Sequence, residues 1–182
     1  MTGNDIPVIL QVALFMLAAS AGMTDLKSRH IPNWIALMGL IAGVVLNTYN
    51  RGLSGAAGAI LGALLGAGLF MGIYLAGGMG AGDVKLLAAV GAIVGPQSLL
   101  IVFVLTGILG GMAALCLLLL RGNVREGLTR TIGLAAKWMR LDWPGVALAS
   151  DPKAAQAISL PYGAIVASGA LLFLIALRRQ VG

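Results

Sequence analysis

The chain of 182 residues is 59% hydrophobic and 10% charged, where ordinary soluble domains carry about 25% charged residues, and its formal net charge is +6. That composition excludes a water-soluble globular domain. It also argues against a nucleic-acid partner, because the basic residues stand at the ends of apolar runs instead of forming a stripe interleaved with aromatic rings.

In hydrocarbon every backbone polar group has to be satisfied inside the protein, so the expected fold is all-α: one polytopic, membrane-embedded domain over 1–182. A bilayer core of about 30 Å takes about 20 helical residues. By that ruler the first three spans are Ile6–Met23, Pro32–Tyr49 and Ser54–Gly77. The first has Asp5 and no Lys or Arg ahead of its apolar run, so it reads as a retained span and not as a signal peptide. The apolar run after Asp83 is too long for one helix, and Gly95-Pro96 is the natural break. A fourth span over Val84–Gly95 would rise only about 18 Å, so either the Gly-rich stretch before it dips into the membrane or the helix continues past Pro96. A long fifth span follows.

Beyond Arg121, the stretch "NVREGLTRTIGLAAKWMRL" brings Val124, Leu128, Ile132, Ala135 and Met139 to helical spacing, which predicts an interfacial helix on the inner leaflet; a basic membrane anchor is its simplest role. The sixth span is Ile158–Leu177, closed by Arg178 and Arg179. With six transmembrane helices, one side collects Lys27, Arg29, Lys85, Arg121, Arg125, Arg130, Lys137, Arg140 and Lys153, and the other collects Arg51, Arg178 and Arg179. Basic loops stay cytoplasmic. The loops around "TDLKSRHIPN" and "GAGDVK" therefore face the cytoplasm, and the amino terminus faces out.

Asp25 follows the first predicted span and Asp83 precedes the fourth, so this topology puts both carboxyl groups at the cytoplasmic end. The chain has only six acidic residues, and charge in or near a bilayer is costly enough to mark pathways and sites. Taken singly, each is most simply a hydrated loop acid beside Lys27 or Lys85. The surroundings favour more. In "GMGAGDVK", Gly80 and Gly82 clear side chains from the approach to Asp83, which allows a close backbone, even an extended peptide, and an otherwise strained helix entry. The helix dipole there favours an ionised carboxylate. A GxG pattern is cheap in a chain with 27 glycines; the scarce element is the Asp.

Two carboxyl groups within hydrogen-bonding range do not both ionise easily and share one proton. Such a pair hydrolyses amides: the ionised member takes a proton from the attacking water, the protonated member polarises the carbonyl, and the pair then protonates the leaving amine. Asp25 and Asp83 are the candidate pair, and this chemistry calls for no metal and no organic cofactor.

"DLKSRHIPNW" followed far downstream by "GAGDVKLL" resembles the prepilin peptidases, and the resemblance runs over nearly the whole chain, including the six-span layout and the "LPYGA" opening of the last helix. It implies a GxGD-type aspartic protease of the cytoplasmic (inner) membrane of a prokaryote, with its catalytic side facing the cytoplasm. It further implies removal of the short leader of type IV prepilins or pseudopilins, with Asp25 and Asp83 as the catalytic aspartates. Larger members carry an amino-terminal region with paired cysteines and also methylate the new amino terminus. Here about five residues precede the first span and Cys116 is the single cysteine. The short form is similar to the peptidases of Flp-type pili. Expected partners are the prepilin substrate, the lipid bilayer, and pilus or secretion assembly machinery.

Other residues have plainer readings beside the functional ones. Pro32 and Asn33 either open the second helix, with Pro in its first turn, or fix the loop that carries Asp25. Lys85, Lys27 and Arg29 are topology signals that also have the charge to attract acidic groups on a pilin. His30 is the single histidine and is most simply a loop residue. Pro161 and Tyr162 mark the entry to the last span, Cys116 is apolar filler, and Trp34, Trp138 and Trp143 suit an interfacial aromatic belt. Two rival readings remain: a small proton- or cation-coupled membrane carrier using Asp25 and Asp83, although no second copy of the interrupted helix is visible, and a scaffold in which both aspartates are solvated loop charges.

Overall fold

The structure, a computed structural model, describes residues 6–28, 31–75, 80–121 and 162–181, and its elements are all helices. They are α1 (Val8–Ser28), α2 (Asn33–Leu75), α3 (Ala81–Arg121) and α4 (Tyr162–Val181). Three are long and apolar enough to cross a membrane: α1 over 21 residues, α2 over 40 from Asn33 to Gly72, and α3 over 36 from Ala81 to Cys116. At 1.5 Å per residue α1 rises about 32 Å, the thickness of a hydrocarbon core, while straight versions of the other two would run to about 54–60 Å.

They do not run straight. Gly52 (φ 62°, ψ −144°) interrupts α2 and Gly95 (φ 78°, ψ 171°) interrupts α3. Both conformations belong to glycine, because a β-carbon would clash with the backbone. Pro96 reinforces the second break, since its ring disfavours helix at the residue before it and suits the first position of the helix that restarts.

Contacts fix how the arms lie. A β-carbon at Gly39 would meet Ala89 and one at Gly43 would meet Ala92, so the first arm of α2 runs parallel to the first arm of α3. Gly66 faces Leu87 and Gly62 faces Gly91, so the second arm of α2 runs antiparallel to the same stretch. α2 is thus a hairpin clasping the first arm of α3, whose Leu86, Leu87, Ala89 and Ala92 are wholly buried. The second arm of α3 also turns back: Leu99 reaches Gly91, and Phe70 and Phe103 meet at a tilt of 60° with ring centroids 5.8 Å apart. α4 lies antiparallel to that arm, with Ile165 against Gly110 and Gly169 against Thr106. Gly62 and Gly91 bring backbone against backbone, the close approach by which helices associate in lipid, where apolar burial alone supplies little drive. The large apolar side chains that face outward, among them Phe15, Met16, Leu100 and Val104, then meet lipid.

One buried polar residue ties the centre. Asn47 Nδ2 donates to the carbonyls of Gly43 (3.0 Å), Ala92 (3.0 Å) and Ile93 (3.1 Å), cross-linking α2 to the last turn before the Gly95 break. Around that break, Ile6, Asn47, Arg51 and Gly95 help to line a cavity of about 110 Å³ at the end of the bundle opposite Asp25 and Asp83.

Several boundaries differ from the sequence reading. α1 does not stop at Met23 but continues through Asp25 to Ser28. Its polar last turns are tolerated because Thr24 and Ser28 return their hydroxyls to the carbonyls of Ser20 and Thr24 (2.8 and 2.7 Å). α3 starts at Ala81 instead of Val84, so the short fourth segment lengthens on its amino side, and Gly95 rules out a straight continuation past Pro96. Pro32 lies before the helix, not in its first turn; its carbonyl accepts the Ile35 N–H at 3.1 Å. The predicted gap between Tyr49 and Ser54 narrows to the single non-helical Gly52. The expected interfacial helix, with Val124 to Met139, lies outside the described residues, as do Arg29, His30, Trp138, Trp143 and Pro161.

Gly95 and Gly107 both have open space where a β-carbon would stand, and only Gly95 has positive φ. Gly95→Ala should therefore destabilise the protein by about 1–3 kcal/mol, while Gly107→Ala should stabilise it by about 0.5–1 kcal/mol. Equilibrium unfolding in lipid nanodiscs measures both; equal effects would contradict the role given to the break.

Candidate active site

Asp25 sits in the last turn of α1, at the carbonyl end of a helix, where the dipole is unfavourable to an anion. It is nevertheless buried, at 5% exposure. What offsets this comes from the far end of the chain: Ala164 N–H, in the first turn of α4, donates to Asp25 Oδ2 at 2.9 Å across 139 residues. The amino end of α4 points partial positive charge at the carboxyl group that α1 disfavours. Gly163 permits the approach, since a β-carbon there would lie 3.0 Å from Asp25 Cγ and 3.1 Å from Oδ2.

Asp83 sits in the first turn of α3, where the dipole suits an acid. Its Oδ2 accepts the Gly80 N–H at 3.3 Å and its own N–H donates to Gly80 C=O at 3.2 Å. This is the return half of a capping box, in which the acid at the third helical position satisfies the cap amide. Asp83 is 8% exposed, so the carboxyl group is enclosed and not a hydrated loop charge. The two acids lie at the same end of the bundle, since a β-carbon at Gly163 would touch both Asp25 and Ile31 and one at Gly82, the residue before Asp83, would touch Ile31; Asp25 and Asp83 are the acidic residues among those described. No group of three or more His, Cys, Asp or Glu assembles among the described residues.

Gly80 and Gly82 do part of what the sequence suggested. Neither has positive φ, so no strained entry to the helix exists there. Ile31 does pass beside Gly82, where a β-carbon would stand 3.4 Å from its Cβ and 3.7 Å from its carbonyl oxygen, an ordinary contact that does not require glycine. Lys85 and Asn33 meet: Lys85 Nζ donates to Asn33 Oδ1 at 3.0 Å, joining the start of α2 to the start of α3. Lys27 is exposed in the last turn of α1 and Cys116 is exposed on α3.

A family model, that of the type IV leader peptidase family, matches residues 12–115. The chain belongs to this family. No curated protein and no solved structure matches it significantly. Family membership makes the chain a peptidase of leader sequences, and the apolar helices make it a membrane protein. The match takes in Asp25, Asp83, Asn33 and Lys85 and stops short of α4, so the part of the leader peptidase that reaches Asp25 with an amide lies beyond it. Sequence reading missed that contact because a backbone N–H carries no residue type; the one visible sign was the glycine in "LPYGA". It also missed Asn47, which looks like a polar residue nearing a loop.

The Lys85–Asn33 bond joins two exposed side chains. Its coupling in a double-mutant cycle with Lys85→Met and Asn33→Ala should be at most about 1 kcal/mol of stability. A coupling several times larger in thermal unfolding would show that the bond is shielded from water.

Proposed function

We propose that this leader peptidase is an aspartic endopeptidase, a single membrane-embedded domain over 1–182. In this reading it crosses the cytoplasmic membrane of a prokaryote six times and removes the leader of type IV prepilins or pseudopilins of the Flp type. The breaks at Gly52 and Gly95 support six crossings, since each divides one apolar helix of about twice a bilayer's length into two arms, the first arm of α3 being the shortest. The excess of basic residues in the loops at the Asp25 end supports a cytoplasmic position for the catalytic side. A partner in pilus or secretion assembly follows from the substrate class.

The observation that carries the mechanism is that folding brings two acids from α1 and α3, 58 positions apart in number, to one end of the bundle, both buried and both beside elements that border Ile31. Asp25 and Asp83 then act as a pair holding one proton. The ionised member accepts a proton from water as its oxygen attacks the scissile carbonyl carbon. The protonated member hydrogen-bonds the carbonyl oxygen as charge develops on it. Collapse of the tetrahedral intermediate breaks the C–N bond, and the proton taken from water goes to the leaving amine. Gly80, Gly82 and Pro32 shape the entrance: the glycines leave space beside Asp83, and Pro32 fixes the chain between α1 and α2 where it passes Gly82.

Asp25→Asn or Asp83→Asn, each alone, should lower leader removal by at least about a hundredfold while the protein still folds and inserts. Co-expression with a type IV prepilin and a gel shift for the shortened pilin reads this directly. The pH profile of cleavage should be bell-shaped. Activity falls at low pH as the pair gains its second proton and at high pH as it loses its only one, so a profile with a single limb would contradict the shared proton.

A further inference from the structure

We infer that Ile31 is the spacer that sets the separation of the two carboxyl groups, seated between Gly82 and Gly163. This rests on the reading of Asp25 and Asp83 as a working pair and goes beyond it, because it names a positioning residue that acts through the two acids.

Ile31 lies in the short connection between α1 and α2 and is buried, at 4% exposure. Its two ends meet two different elements. A β-carbon at Gly163, on α4, would fall 2.6 Å from Ile31 Cδ1, and the same β-carbon would press on Asp25 Cγ at 3.0 Å. A β-carbon at Gly82, on α3, would fall 3.4 Å from Ile31 Cβ. Gly82 is the residue before Asp83, and Gly163 is the residue before the amide that holds Asp25. One side chain therefore separates the element that fixes one carboxyl group from the element that fixes the other.

Isoleucine suits this task. Branching at Cβ leaves it few rotamers, so its length is fixed where a methionine or leucine would adapt. The glycines suit it too. Both lie in helices with ordinary φ; at Gly163 the missing β-carbon leaves room for Ile31 and Asp25, while at Gly82 a β-carbon would rest in ordinary contact against Ile31. Lys27 and Lys85, at the same end, are exposed.

The test uses the full chain in lipid nanodiscs with a purified prepilin that the wild-type protein cleaves, and compares Ile31→Val, Gly163→Ala and the double variant. Each is scored for kcat, KM, the pH profile and the folded fraction by thermal unfolding. Gly163→Ala should lower kcat by about a hundredfold, the loss associated with misplacing a reacting group by about 1 Å, with KM nearly unchanged. Displacing the carboxyl groups weakens their coupling, so the two limbs of the pH profile should draw together. Ile31→Val removes the Cδ1 methyl; it should lower kcat by about tenfold and, combined with Gly163→Ala, recover much of that variant's loss.

Limbs that stay in place in every folded variant, with kcat either unchanged or falling only in step with the folded fraction, would overturn the inference. If Gly163→Ala fails to fold, Ile31→Val decides alone: wild-type kcat and wild-type limbs would sink the spacer. Full cleavage by Asp25→Asn would instead remove the paired-carboxyl reading beneath it.

Discussion

Two glycines in conformations closed to other residues determine where everything else in this protein lies. Gly52 and Gly95 fold two uninterrupted apolar stretches, each about twice a bilayer in length, into hairpins. Because both breaks fall at the same end, the openings of α2 and α3 fall together at the other, where α1 finishes and α4 begins. The two acids come to the same end as a result of this folding-back and not through any attraction of their own, since like charges in a poorly hydrated place repel. The clasp of α2 on the first arm of α3, with Gly62 against Gly91 and Asn47 bonded to two carbonyls of that arm, gives a stiff post with Asp83 at its top.

The two acids are held by opposite means. Asp83 stands where its own helix welcomes it and closes a local cap with Gly80. Asp25 stands where its own helix is least hospitable, and its partner is the amide of Ala164 in another helix. The first arrangement is made within one turn of the chain; the second needs two helices brought together. The proposed mechanism requires the distance between the two acids to be held closely, and one locally fixed acid plus one tertiary-fixed acid would tie that distance to correct folding.

Much of this was legible in the sequence for physical reasons that can be named. Apolar runs longer than a bilayer, with glycine and proline as the punctuation, gave the membrane helices and the break at Gly95. Scarcity of charge singled out Asp25 and Asp83. What stayed hidden was carried by atoms without a side-chain signature. The continuation of α1 through Thr24, Asp25 and Ser28 depends on hydroxyls returning to helical carbonyls, so a polar tail looked like a loop. Asn47 stands two residues from the expected end of the second span, and only the folded chain shows it cross-linking two helices. Gly82 and Gly163 appeared as two of 27 glycines, and only three-dimensional proximity shows that both face Ile31.

The bond from Ala164 to Asp25 also bears on biosynthesis. Chains emerge amino end first, and α1, α2 and α3 can enter the membrane with both acids in place before α4 has left the ribosome. Until residue 164 arrives, Asp25 lacks the backbone donor described above, and Gly163 is not there to back Ile31. A half-made copy therefore lacks the amide that holds Asp25, and that contact is completed only when the last helix is made.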